Sequence, residues 1–179
     1  MLITGATGGI GGALADVYAE PGNTLILQGR NAARLAELSA QCEARGARVL
    51  TRVLDVRNRD ELSTWLREVC DQEAVDLVIV NAGVNTNIGS AGAGERWEDT
   101  EALIEVNVLA AMATVEAVLP SMRARGAGQI ALISSLAAYF GLPVTPSYCA
   151  SKAAVKVYGE ALRGWLEPEG IRVNVVMPG

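Results

Sequence analysis

Short apolar runs separated by helix-like stretches recur along the chain. LIT (2–4), TLILQ (24–28), RVLTRVLDV (48–56), DLVIVNAG (76–83), QIALIS (129–134) and IRVNVVMPG (171–179) are rich in β-branched residues and predict six strands. DLVIVNAG is apolar without alternation, the pattern of a strand buried on both faces. Five intervening segments predict helices: from a glycine turn to about Glu20, over ARLAELSAQCEARG with Gly46 as the stop, over NRDELSTWLREVCDQEA, from near Trp97 to Arg125, and over 147–167. Asn58 and Glu61 stand at capping-box spacing. The glycine-rich NTNIGSAGAGE (85–95) reads as a loop. Strands alternating with helices predict an α/β fold, a doubly wound, Rossmann-like parallel sheet in one domain spanning 1–179. Ligands of such a sheet bind outside the carboxyl ends of its strands.

Composition narrows the function. The chain has 179 residues, half of them hydrophobic, with 15 Lys and Arg against 20 Asp and Glu for a net charge of −5. No basic block stands out, which argues against nucleic acid or a membrane surface as partner. Histidine is absent, and Cys42, Cys70 and Cys149 share no metal-type spacing, so no metal site is expected. Reduced thiols in a cytoplasmic protein fit this composition. Cys149, beside Tyr148, reads as a small packed side chain, with a reactive thiol as the alternative. No signal-peptide pattern follows Met1, and apolar runs such as VLAAMA fall short of the ~20 residues a membrane span needs.

Candidate chemistry begins at TGATGGIG (4–11), between the first strand and the first helix. Glycines there permit a tight turn and close approach of a pyrophosphate, and the helix N-terminus adds free N–H groups. At the end of the second strand, Gly29 stands where an acid would hold a ribose 2′-hydroxyl, and Arg30 follows. A guanidinium suits a 2′-phosphate, so NADP(H) is favoured over NAD(H); a solvated arginine near a helix start is the alternative. Tyr148 and Lys152 are four apart, hence on one helical face. A nearby ammonium favours phenolate, and lowering a tyrosine pKa by ~3 units from ~10 takes about 4 kcal/mol. That pair can exchange a proton without histidine.

These stretches, with VNAG (80–83), LDV (54–56), IEVN (104–107) and ISSLAAYFGLPVTPSYCASK (133–152), resemble the compact branch of the short-chain dehydrogenase/reductase family. Gly5, Gly8 and Gly11 also fit the spacing of the superfamily's sugar-nucleotide branch, but a serine 13 residues before the tyrosine favours the compact one. The resemblance implies hydride transfer between a nicotinamide and a small-molecule carbonyl or secondary alcohol. Tyr148 would be general acid and base, Ser135 would bind the substrate oxygen, and Asn107 would hold a helix kink and a water for proton relay. Ser134, by strand alternation, would face the other side. Thr4, Gly5, Thr7, Gly8, Gly9, Ile10 and Gly11 would form the phosphate turn. Asp55, with the backbone of Val56, would meet the adenine, or else satisfy N–H groups of its own turn. Asn81 would brace the sheet while Ala82 and Gly83 leave room for ribose. Lys152 would hold the nicotinamide ribose beside Tyr148, and Pro178 and Gly179 match the family's Pro-Gly after the sixth strand.

The family pattern is longer than this chain, so a seventh strand and the substrate lid are expected to be missing and IRVNVV to form an exposed apolar edge. A fragment of a longer protein is the corresponding expectation. Tyr139, Phe140, Leu142 and Val144 suggest an apolar substrate wall, with loop packing as the alternative. A dimer through helices 97–125 and 147–167 is the expected assembly. The alternatives to an oxidoreductase are a non-catalytic nucleotide-binding module, or inactive fragment without its lid, and, more weakly, a sugar-nucleotide epimerase.

Overall fold

The computed structural model describes residues 1–89 and 92–179. Strands β1 (Leu2–Ile3), β2 (Thr24–Gly29), β3 (Arg48–Val53), β4 (Leu77–Val80), β5 (Gly128–Ile133) and β6 (Ile171–Val176) form one sheet. Their order is β3-β2-β1-β4-β5-β6, and every pairing is parallel. Parallel neighbours require crossovers, supplied by α1 (Gly9–Tyr18), α2 (Ala32–Ala44), α3 (Arg59–Gln72), α4 (Trp97–Ile104), α5 (Ala110–Arg125) and α6 (Pro146–Leu166). The chain runs outward from β1 to β3 and then returns to place β4 on the other side of β1. That reversal opens a crevice at the carboxyl ends of β1 and β4.

Alternation along the strands divides the core in two. Leu2, Ile26, Val78, Val80, Ile130 and Leu132 pack in one layer with Leu62 and Leu66 of α3, Val118 of α5 and Leu162 of α6. Ile3, Leu25, Leu27, Ile79 and Ile133 pack in the other with Ala15 of α1 and Leu35 and Cys42 of α2. Adjacent residues of one strand thus serve opposite layers, which is why these runs are apolar without a break. β3 and β6 are the sheet edges. β6 buries Ile171 and Val173 and exposes Val176, so less apolar surface lies open there than its sequence suggests.

Three local expectations need correction. The third strand ends at Val53, and Leu54, Asp55 and Val56 lie beyond it. Asn58 precedes α3 without accepting from its amides; its Nδ2 instead donates to Glu61 Oε2 at 2.8 Å, so no capping box forms. The long helix is interrupted by a π turn, Glu105–Leu109, between α4 and α5. Counted through that turn, Trp97–Arg125 is long and apolar enough to cross a bilayer, contrary to the reading of its short runs. More than half of its most apolar stretch is buried inside the protein.

Candidate active site

A cleft of about 640 Å³ opens at the carboxyl ends of the strands. Its first wall is the turn between β1 and α1. Gly5 has φ +66°, a left-handed conformation, and a Cβ there would lie 2.7 Å from Ala82 Cα. At Gly11 a Cβ would approach Ala6 Cα and Asn81 Nδ2 to 2.8 Å, so this glycine serves the close packing of α1 on the turn. Gly9 differs, since a Cβ there meets nothing within 4 Å. α1 has no side-chain cap at Gly8, and its Gly12 N–H bonds the Gly8 carbonyl at 2.8 Å. The Gly8 N–H donates to the Gly5 carbonyl at 3.1 Å, while the amides of Gly9 and Ile10, in the first turn, have no helical partner and line the cleft, as an anionic phosphate requires.

Hydrogen bonds lock this turn to the sheet. Asn81 Nδ2 donates to the carbonyls of Thr4 (3.0 Å) and Gly5 (3.1 Å), while Thr4 Oγ1 accepts from the amides of Asn81 (3.1 Å) and Ala82 (3.2 Å). Thr4 and Gly11 therefore sit beneath the cleft wall, whereas Gly5, Thr7, Gly8, Gly9 and Ile10 line it. Gln28, which pattern reading left inside a strand, is buried and joins two walls. Its Oε1 accepts from Gly5 N–H at 3.0 Å and its Nε2 donates to the Leu54 carbonyl at 2.5 Å. A lone amide in an otherwise apolar buried strand was the available signal.

At the far end of this wall, Gly29 packs under Thr7; a Cβ at 29 would lie 2.5 Å from Thr7 Cγ2. A side chain at that position would require the Thr7 side chain to move. Arg30 is exposed on the cleft rim, with Nη1 3.9 Å from Asp55 Oδ2. Asp55 Oδ1 accepts from the Arg57 amide at 3.0 Å, the local turn bond the sequence allowed. Arg57 also grips the carboxylate through Nε and Nη2, and this guanidinium holds the Asp55 carboxyl below its usual range. Val56, Ala82 and Gly83 complete this part of the lining.

The opposite wall is α6 and the end of β5. Tyr148 and Lys152 both line the cleft, with Lys152 Nζ 5.6 Å from the tyrosine ring centroid. Lys152 is 5 % exposed, and its Nζ donates to the Ile133 carbonyl at 2.9 Å. Burial pushes its pKa down to about 8. Ser134 and Ser135 both border the cleft, so Ser134 does not face the other side as expected; the two hydroxyls differ in their partners instead. Ser134 is buried and donates to the Lys152 carbonyl at 2.7 Å, fixing α6 to the sheet. Ser135 Oγ accepts from Ala137 N–H at 3.1 Å, which leaves its own proton available. Pro178 and Gly179 close the lining at this end, and Leu136 N–H holds the Pro178 carbonyl at 3.0 Å.

Asn107 lies in the π turn, buried, and does not line the cleft. Its Oδ1 accepts from Val84 N–H (2.8 Å), and its Nδ2 reaches the Val84 carbonyl (2.9 Å) and Ser151 Oγ (3.0 Å). Ser151 Oγ in turn donates to the Tyr148 carbonyl at 2.8 Å. The π turn thus ties α6 to the segment after β4. Tyr139, Phe140 and Leu142 line a separate open groove with Pro143 and Pro146, and Val144 lines neither, so none of the four forms a wall of the cleft. Cys149 is buried and accepts from Leu142 N–H, a packed thiol. Within the loop 85–95, Ser90 and Ala91 lie outside the described residues.

The whole chain, residues 1–179, matches the short chain dehydrogenase family. It is 37 % identical over 183 residues to an uncharacterized oxidoreductase of Mycobacterium tuberculosis (strain CDC 1551 / Oshkosh), covering all of this chain and 72 % of that protein. Among solved structures it resembles an NAD+-bound xylitol dehydrogenase, with TM-score 0.92 and 28 % identity over 99 % of this chain and 68 % of that one. It also resembles L-sorbose reductase from Gluconobacter frateurii in complex with NADPH and L-sorbose, with TM-score 0.89 and 32 % identity over the same two shares.

Proposed function

Because the chain belongs to the short-chain dehydrogenase family, we propose that it is an oxidoreductase interconverting a small carbonyl compound and its secondary alcohol, with NADP(H) as preferred partner. The observation that carries this reading is the pairing of Tyr148 with a buried, carboxylate-free Lys152 in the cleft that the glycine turn opens.

The lining fits a dinucleotide in shape and charge. Gly9 and Ile10 present helix-terminal amides to a pyrophosphate beside Gly8, whose own N–H is held by the Gly5 carbonyl, and Asp55 and Val56 flank the adenine end. Arg30 on the rim suits a 2′-phosphate, and Gly29 supplies no carboxylate where an acid would select a free 2′-hydroxyl. Lys152 holds ribose hydroxyls toward the nicotinamide end, near Pro178 and Gly179. When bound, the nicotinamide supplies hydride in reduction and accepts it in oxidation.

The protein's own groups manage the proton. In reduction, Tyr148 donates its phenolic proton to the carbonyl oxygen; in oxidation, the phenolate takes it back. Lys152 remains mostly ammonium at neutral pH and stabilises the negative charge left on the phenol oxygen. Ser135, with its oxygen anchored by Ala137 N–H, directs its proton to the substrate oxygen as charge builds there. Asn107 steadies this wall through Ser151 and Val84.

The test is Tyr148→Phe, assayed by NADPH oxidation with a panel of ketones and by NADPH titration. Turnover should fall at least ~10³-fold, since a positioned acid and its oriented bond are both lost, while the Kd for NADPH stays within about twofold. Unchanged turnover refutes the assignment. Tight NADPH binding with no turnover by the unsubstituted chain on any carbonyl supports a non-catalytic nucleotide-binding module.

A further inference from the structure

The helix that carries Tyr148 and Lys152 does not cap its own N-terminus. Thr145 occupies the N-cap position, yet its hydroxyl goes to Asn85 Oδ1 and the Thr86 carbonyl, each at 2.6 Å. Pro146 follows and has no N–H, so the first amide of α6 belongs to Ser147. That amide points at the Glu95 carboxylate, 3.1 Å from Oε2 and 3.3 Å from Oε1, across 52 residues of sequence. Ser147 Oγ also donates to Glu95 Oε2 and lies 3.2 Å from Thr100 Oγ1 of α4. Ser147 immediately precedes Tyr148. A carboxylate at a helix N-terminus satisfies an orphan donor and opposes the positive end of the dipole, which Thr145 leaves undone.

We propose that Glu95 is a positioning residue for the reaction: an N-cap supplied from the segment between β4 and α4 that fixes Tyr148 against the cleft. The proposal rests on the reading of Tyr148 as proton donor. Thr145 and Glu95 divide the work. Thr145 draws loop residues 85–86 onto the residue before α6, and Glu95 holds the first turn itself. Ile88 N–H adds a bond to the Val144 carbonyl at 3.1 Å, so the segment after β4 grips the approach to α6 at several points. Glu95 is not among the residues that line the cofactor cleft. Its effect passes through the place of one helix turn, where a displacement of about 1 Å is enough to cost up to ~10²-fold in rate.

Glu95→Ala and Glu95→Gln in the 179-residue chain test this. Three readouts apply: ketone-dependent kcat, the Kd for NADPH, and hydrogen exchange of the Ser147 amide. In Glu95→Ala, kcat should fall roughly tenfold or more with the Kd for NADPH within about twofold, and Ser147 should exchange faster. Glutamine keeps an oxygen that accepts from the amide, so Glu95→Gln should recover most of both losses. Unchanged kcat in Glu95→Ala overturns the positioning role, and equal losses in the two variants overturn the capping account. Absence of turnover in the unsubstituted chain removes the reaction and with it the positioning role, while Ser147 exchange still decides whether the cap exists.

Discussion

Lys152 carries a charge into the protein with a single backbone carbonyl as its hydrogen-bond partner. Its pKa of about 8 stands below the ordinary lysine value because burial disfavours the charged form. Between pH 8 and 10.5 the unfolded chain binds more protons than the folded one, so this group makes stability rise with pH across that window. Below pH 8 its cost is constant, about 3 kcal/mol. Lys152→Met removes the pH dependence. Urea unfolding at pH 7 and at pH 10 should therefore show the stability difference moving by about 2 to 3 kcal/mol toward the unsubstituted chain. A difference that stays constant contradicts the buried-ammonium account. At this scale Tyr148 and Lys152 were legible as a pair because helical spacing puts residues four apart on one face, whereas Ser135 was legible only through the family resemblance. Gln28 and Glu95 were not. Their partners lie 26 and 52 residues away, and nothing in either residue's neighbours encodes the meeting.

Among the elements, α1 and the turn before it separate two uses of glycine that the sequence writes identically. Gly11 has no room for a methyl because Ala6 and Asn81 are against it, whereas at Gly9 the space is empty. Gly11→Ala should cost several kcal/mol of stability, as overpacking against backbone does, and weaken NADPH binding as a by-product. Gly9→Ala should leave stability equal or up to about 1 kcal/mol better, through helix propensity, while raising the Kd for NADPH by obstructing the pyrophosphate's approach. Thermal unfolding paired with titration distinguishes them; a Gly9→Ala protein that binds normally would mean the phosphate does not lie there. Most helix and strand bodies were legible from apolar spacing, but the π turn was not; only the resemblance, which implied a helix kink at Asn107, pointed to it. The extra residue leaves the apolar pattern of 97–125 looking continuous, and the bonds from Asn107 to Val84 and Ser151 show how the helix gives way there.

For the whole molecule, six short apolar runs alternating with helices imply a parallel, doubly wound sheet, which is why the fold class was readable without any contact being known, whereas the strand order is seen only in the fold. The cleft inherits its place from that order. Since only the folded chain presents the cleft, a dinucleotide should stabilise it: at 100 times Kd the gain is about 2.7 kcal/mol, or roughly 5–10 °C in Tm for a chain of this length. At equal concentration NADPH should raise Tm more than NADH, and Arg30→Ala should narrow the gap. Equal shifts in the unsubstituted protein would refute the 2′-phosphate preference. The different partners of Ser134 and Ser135 have a longer-term corollary. On the proposed mechanism one hydroxyl serves architecture and its neighbour reactivity, so a mutation at 135 would silence a lineage chemically while its descendants kept folding and kept their coenzyme grip. Such relics would pass every homology test and every thermal-shift screen, and only their inertness toward ketones would give them away.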